Sequence, residues 1–212
     1  MKLVYLLLAL SFVLGACTKK KFNIQNRSTS AQNGDQAAGE VSPEVKKKME
    51  SSTIVWKRYR AFESGVTGAL GLTVDQMCVE VGEHSCIDKV HLTVLGGNEP
   101  LENGQYERAD APSVLTAFAV DRVILSACKQ RLDMDKAGSP QVFKHFPLTG
   151  GSANEDQLKG QATELYQRFL ARDPSAEELD VVAKFVAEAG SGEQAALSLC
   201  FAIGTHSENI FL

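Results

Sequence analysis

Apolar residues are distributed in three unlike ways along this chain. The first sixteen residues, MKLVYLLLALSFVLGA, form one apolar run behind a single lysine. Residues 18–42, TKKKFNIQNRSTSAQNGDQAAGEVS, are polar and show no hydrophobic period. From Ser42 onward, apolar positions recur at helical spacing. Ser42-Pro43-Glu44 suits a helix start, and Val45, Met49, Trp56, Tyr59 and Phe62 carry the period to about Ser64, where glycines 65, 68 and 71 are expected to break it. Thr73-Val74-Asp75-Gln76 fits a capping box, with Leu72 and Met77 placed as a hydrophobic staple. That helix is expected to be short, with Gly82 as its left-handed cap. A second short element is expected from about Ser85 to Gly96-Gly97; Ile87, Val90, Val94 and Leu95 mix both periods, with helix favoured over strand.

Residues 98–112 read as loop, with Asn98, Pro100, Asn103, Gly104 and Pro112. Leu115, Phe118, Val120, Val123, Ile124, Ala127 and Leu132 mark a helix over about 114–132, and a second loop runs to about Asn154. The last third has the clearest period. Leu158, Ala162, Leu165, Phe169 and Leu170 form one face, ending at Arg172-Asp173-Pro174. Ser175-Ala176-Glu177-Glu178 is a capping box opening a helix with Leu179, Val182, Phe185 and Val186 inward. Gly190-Ser191-Gly192 then turns the chain into a helix carrying Ala195, Ala196, Leu199 and Ile203. Short turns between helices imply antiparallel neighbours. The expectation is an all-α body, a single helical domain over 43–212 with a three-helix part at about 155–212, and no internal repeat.

The opening run is too short for a comfortable membrane span and is followed at once by polar sequence, so it reads as an export signal. It ends Leu14-Gly15-Ala16-Cys17, which resembles the bacterial lipobox. The resemblance implies cleavage after residue 16 and lipid attachment at Cys17, with acyl chains that anchor the protein in a membrane. Thr18 after the lipidated cysteine implies the outer membrane, with the body facing the periplasm. Residues 17–42 then form a flexible tether with a reach of about 25–30 Å. Removing the signal from the 212 residues leaves 196, enough for one substantial domain or two small ones. The tether segment 18–41 has a net charge of +2, and residues 42–212 have −7. An acidic body argues against nucleic-acid binding, which needs a basic face.

Further resemblances lie in the body. The stretches ELYQRFLARDPSAEELDVVAKFV and LCFAIGTHSENIFL are similar to helical modules that accompany cytochrome-c domains in exported bacterial proteins, over about residues 158–212. LGGNEP and AVDRVILSAC resemble segments of small exported lipoproteins of deltaproteobacterial type with no assigned activity. These resemblances imply a location and a helical fold but no catalytic residues. The chain lacks the Cys-x-x-Cys-His signature, which excludes covalent c-type haem.

Four cysteines remain after Cys17: Cys78, Cys86, Cys128 and Cys200. An even number in an exported chain favours disulfides, and Cys78–Cys86 with Cys128–Cys200 is the favoured pairing. In one unbroken helix Cys78 and Cys86 would stand about 12 Å apart, so the break at Gly82 is required. The competing reading is a metal site on Cys78, His84, Cys86 and His91. Those ligands lack close paired spacing, and the disulfide reading outweighs it. No Gly-x-Ser-x-Gly elbow, His-Glu-x-x-His pair, Walker loop or EF-hand is present, and Asp133-Met134-Asp135 reads as a solvated helix end rather than a calcium site. His145 and His206 stand singly beside apolar residues and read as structural or surface groups. The expected function is a lipid-anchored, non-catalytic interaction or structural module without cofactor or metal, held to the membrane by its lipid and contacting another envelope protein. The alternative is a redox or metal-binding accessory of exported cytochromes.

Overall fold

The computed structural model describes residues 55–102, 104–187 and 191–212, without the side chains of 185–187. The signal, Cys17, the tether and residues 43–54 of the helix expected to start at Pro43 lie outside the described residues, as do Asn103, Gly190 and the side chains of Phe185 and Val186. The described chain is mostly helical: α1 (Tyr59–Leu70), α2 (Val74–Met77), α3 (Val114–Ala137), α4 (Glu155–Leu170), α5 (Ala176–Ala187), α6 (Gly192–Gly204) and α7 (Ser207–Ile210). Two two-residue strands, β1 (Val79–Glu80) and β2 (His84–Ser85), and a π-helical turn (Cys86–Val90) interrupt the all-α pattern.

The first helix departs from its expected bounds. Residues 55–58 are not helical: Trp56 forms an antiparallel bridge with Phe211, flanked by Val55 N–H to Leu212 O at 3.1 Å and Lys57 N–H to Ile210 O at 2.9 Å. Nor do Gly65 and Gly68 break α1. A Cβ at either would meet nothing, because both lie on the solvent side while Phe62, Val66 and Leu70 pack inward. That buried face outweighs the roughly 1 kcal/mol each glycine costs. Gly71, left-handed at φ 61°, is the residue that ends the helix.

The core is continuous. Val66 and Leu70 of α1, Val123, Ile124 and Cys128 of α3, Leu165 of α4, and Leu199 and Cys200 of α6 all belong to one buried cluster, in which α1 packs on α3 and α4. Helix α3 packs along α6, and the Cys128–Cys200 disulfide joins them with Cα atoms 6.0 Å apart. Asn154 and Ser175 cap α4 and α5: each helix-start backbone N–H donates to the side chain three residues on, Gln157 or Glu178. The segment 138–154 lacks regular structure, yet Val142 and Phe143 are buried in the core.

Three polar side chains hold that segment. Asp135, with a fully buried carboxylate, accepts backbone N–H bonds from Gln141, Val142 and Phe143 at 2.9, 3.0 and 2.8 Å and pairs with buried Arg131. Gln161 donates to Val142 O at 2.8 Å and accepts from His145 N–H at 3.2 Å. Arg168 donates to Gln141 O at 3.0 Å and to Ala69 O at 3.2 Å. Asp135 is therefore no solvated helix end, although Asp133 is exposed and paired with Lys129. The Asp135 carboxylate binds loop amides, because a buried backbone N–H left unpaired is costly.

Gly96 and Gly97 close the segment before the first loop. Gly96 is left-handed at φ 81°, and a Cβ there would stand 2.9 Å from Trp56 Cη2. Gly96→Ala is expected to destabilise the protein by about 1–3 kcal/mol, from backbone strain and displacement of the indole. A lowered urea midpoint checks this; an unchanged midpoint would contradict the contact.

Candidate functional site

Residues 77–97, which hold two cysteines and two histidines, form a small rigid appendage on α3. Thr73 N–H donates to Gln76 Oε1 at 3.1 Å, and Leu72 and Met77 are both buried, so the staple starts α2 as expected. The helix stops at Cys78, not at Gly82. Strands β1 and β2 pair antiparallel, Val79 with Ser85 and Glu80 with His84, and Gly82 (φ 86°) lies in their turn. The second element is neither plain helix nor plain strand: it is β2 followed by the π-helical turn, with Ser85 Oγ accepting from Asp88 N–H at 3.2 Å and His91 N–H donating to Cys86 O at 2.7 Å.

Cys78 and Cys86 are joined by a disulfide with Cα atoms 5.4 Å apart, beside a Cys86 N–H to Cys78 O bond of 3.1 Å. One side-chain atom each from Cys78, Glu80 and Cys86 lies within 4.8 Å of the others. With the sulfurs bonded to each other, the thiolates a metal would need are consumed. Nor do the histidines converge with them. His84 is half exposed, 3.7 Å from Glu83, and His91 Nε2 lies 3.0 Å from Glu80 Oε1. Arg122 of α3 reaches the other Glu80 oxygen at 3.0 Å, so Glu80 pins the appendage to α3. On the opposite side Arg60 bridges Glu63 and Asp88 at 2.9 and 3.2 Å. Burial pushes the Glu63 carboxyl up, Arg60 opposes that, and Asp88 adds to it. Thiol titration of the folded, non-reduced domain is expected to find no free thiol among the four cysteines. Two thiols that appear only after chelation would contradict the disulfide.

The appendage also presents apolar surface. Twelve large apolar residues are exposed among the described residues, and nine of them lie between Val79 and Leu125. Val81 (86% exposed), Leu101 (93%), Tyr106 and, on α3, Val114, Leu115 and Phe118 (61%) are the most prominent. Cross-bonds tie these segments into one sector: Lys89 to Glu102 at 3.0 Å, Thr93 Oγ1 to Gln105 at 2.8 Å, Thr116 Oγ1 to Val94 O at 2.7 Å, and Glu80 to Arg122. A groove of about 360 Å³ between Val79, Arg122, Leu125 and Lys129 joins the hairpin to α3. Val81 adds a backbone anomaly, since this β-branched residue takes a left-handed conformation at φ 56°. L residues avoid that region, β-branched ones most of all. Val81→Gly is expected to raise stability by about 0.5–1 kcal/mol, read as a higher urea midpoint. An unchanged or lowered midpoint would show that the backbone there is unstrained.

A second concavity, about 430 Å³ and largely apolar, lies between α5 and α6 over Val181, Val182, Leu199 and Ile203. Of the carboxylates that line it, Glu178 is paired within the chain: Arg172 binds Glu178 at 2.7 Å and Glu208 at 2.8 Å, and stacks over Tyr166. The hydrogen-bonded Arg172, with the Ser175 amide, pulls the Glu178 carboxyl down to about 2. The remaining histidines are local. His206 Nδ1 accepts from Glu208 N–H at 3.3 Å at the start of α7, and His145 lies 3.4 Å from Glu164. Among the described residues no helix is long and apolar enough to cross a membrane. Comparison with protein-family models, characterised proteins and solved structures finds no match to this chain.

Proposed function

We propose that this chain is a lipid-anchored protein of the cell envelope, attached through Cys17 in the outer membrane and facing the periplasm, that acts as a non-catalytic interaction module. The observation that carries this reading is the concentration of exposed large apolar side chains in one sector, nine of the twelve between Val79 and Leu125. A concentration of exposed apolar side chains on a folded domain is costly to keep in water and marks a contact surface. The disulfide and the Glu80–Arg122 pair hold that surface rigid, which lowers the entropy cost of docking.

The reading is tested on the native protein extracted in mild detergent. It is expected to migrate as an assembly larger than its monomer, and the double variant Leu115→Ser/Phe118→Ser to run as monomer. Val181→Ser should leave the assembly intact. Both residues of the double variant are exposed, so each is expected to change folding stability by no more than about 0.5 kcal/mol. A wild-type protein that migrates as monomer would overturn the reading.

A second reading, a redox or metal-binding accessory of exported cytochromes, is favoured by one observation: Glu80 lies within 4.8 Å of both sulfurs. It requires Cys78 and Cys86 to be reduced in the cell, and thiol counting before and after chelation decides it.

A further inference from the structure

We propose that the sector over residues 79–125 docks a partner protein whose contact surface is apolar at its centre and basic at its rim, in preference to the bilayer or a second copy of this chain. The inference rests on the reading of this sector as a contact surface and adds the chemistry of its partner.

Charge decides among the three occupants. Residues 79–125 contain eight acidic and three basic residues, a net of −5, against −7 for the whole of residues 42–212. The same 47 residues therefore carry both most of the exposed apolar side chains and most of the body's net negative charge. Two of the three basic residues are already engaged: Lys89 with Glu102, and Arg122 with Glu80. Glu107, Asp110 and Asp121 are exposed and have no ion-pair partner among the described residues.

An acidic sector is repelled by anionic headgroups, so the bilayer is a poor partner even for an anchored protein. A symmetric dimer through this sector would set one net charge of −5 against another, and like charges across an interface oppose association. A basic-rimmed apolar surface satisfies both features at once. The apolar side chains supply burial, and the unpaired carboxylates supply steering and register. Leu101, Tyr106 and Phe118 have the size of interface anchors, and Val81 presents a fourth apolar contact from the hairpin turn.

The test places a benzophenone amino acid at position 118 of the full chain in intact cells, with Asp180 on α5 as an off-sector control, and maps the photo-adducts by mass spectrometry. The expected result is a protein adduct from position 118 whose crosslinked segment has a net positive charge, with little from position 180. In washed membranes its yield should fall several-fold as salt rises from about 0.05 M to about 0.5 M, because rim charges are screened. An adduct to lipid, to this chain itself, or to an acidic segment overturns the proposal but leaves the sector a contact surface. Absence of any adduct from position 118 overturns both the proposal and the reading beneath it. Position 118 is exposed, so the substitution does not disturb the core.

Discussion

Asp135→Ala is expected to lower folding stability by about 3–5 kcal/mol, the range for removing one partner of a buried ion pair. Its carboxylate is fully buried, accepts three backbone N–H bonds and pairs with Arg131. Removing it leaves three loop amides and one guanidinium unsatisfied at once. Arg131→Met should cost much less. Asp135 keeps its three amides in that variant, and Arg131 already has a buried Nε without a partner. The asymmetry between the two variants is the signature, read as urea midpoints at constant m. Equal costs would mean that the ion pair, not the amide cradle, holds the segment. The pH dependence has a defined sign. Burial pushes the Asp135 carboxyl up, but the three amides and Arg131 together outweigh it and hold the group below its ordinary range. Its contribution is therefore complete above the usual aspartate value of about 3.9 and is lost as pH falls below that.

Replacing the Cys128–Cys200 pair by alanines is expected to cost about 4 kcal/mol, since the bond closes a loop with a separation of 72 residues. Both cysteines are fully buried between α3 and α6, so repacking adds to the entropic loss. The Cys78–Cys86 bond spans eight positions, and the same chain-entropy argument gives about 2–3 kcal/mol. Urea unfolding of the two double variants should rank them in that order. The opposite ranking would indicate that the hairpin staple, not the helix pair, limits unfolding.

The helical class was legible because the last three long helices have full periods and a capping signal at Ser175, whereas the cap at Ser191 is seen only in the structure. The two disulfides were legible from the even count of cysteines and the glycine between Cys78 and Cys86. Other features left no mark in the hydrophobic pattern. Gly65 and Gly68 look like breaks, but tertiary packing of the opposite face of α1 overrides propensity. The two-residue strands are too short for any period and exist because a disulfide and a turn hold them together. The burial of Asp135 carries only a faint signal, the four-residue spacing from Arg131. The apolar run of α3 marked a helix but concealed that it has two apolar faces. Phe118 and Val120 are about 200° apart on the helix, so one faces solvent while the other enters the core. Reading that run by angle rather than by count separates Leu115, Phe118 and Leu125 from Val120, Val123 and Ala127.

Carbene footprinting of the same protein in intact cells and as a purified monomer tests the contact surface most directly. Labelling of Leu101, Tyr106, Leu115 and Phe118 is expected to drop several-fold in cells, while Val181 on α5 is labelled equally in both. Equal labelling throughout, or protection centred on Val181 and the α5–α6 groove, would contradict it.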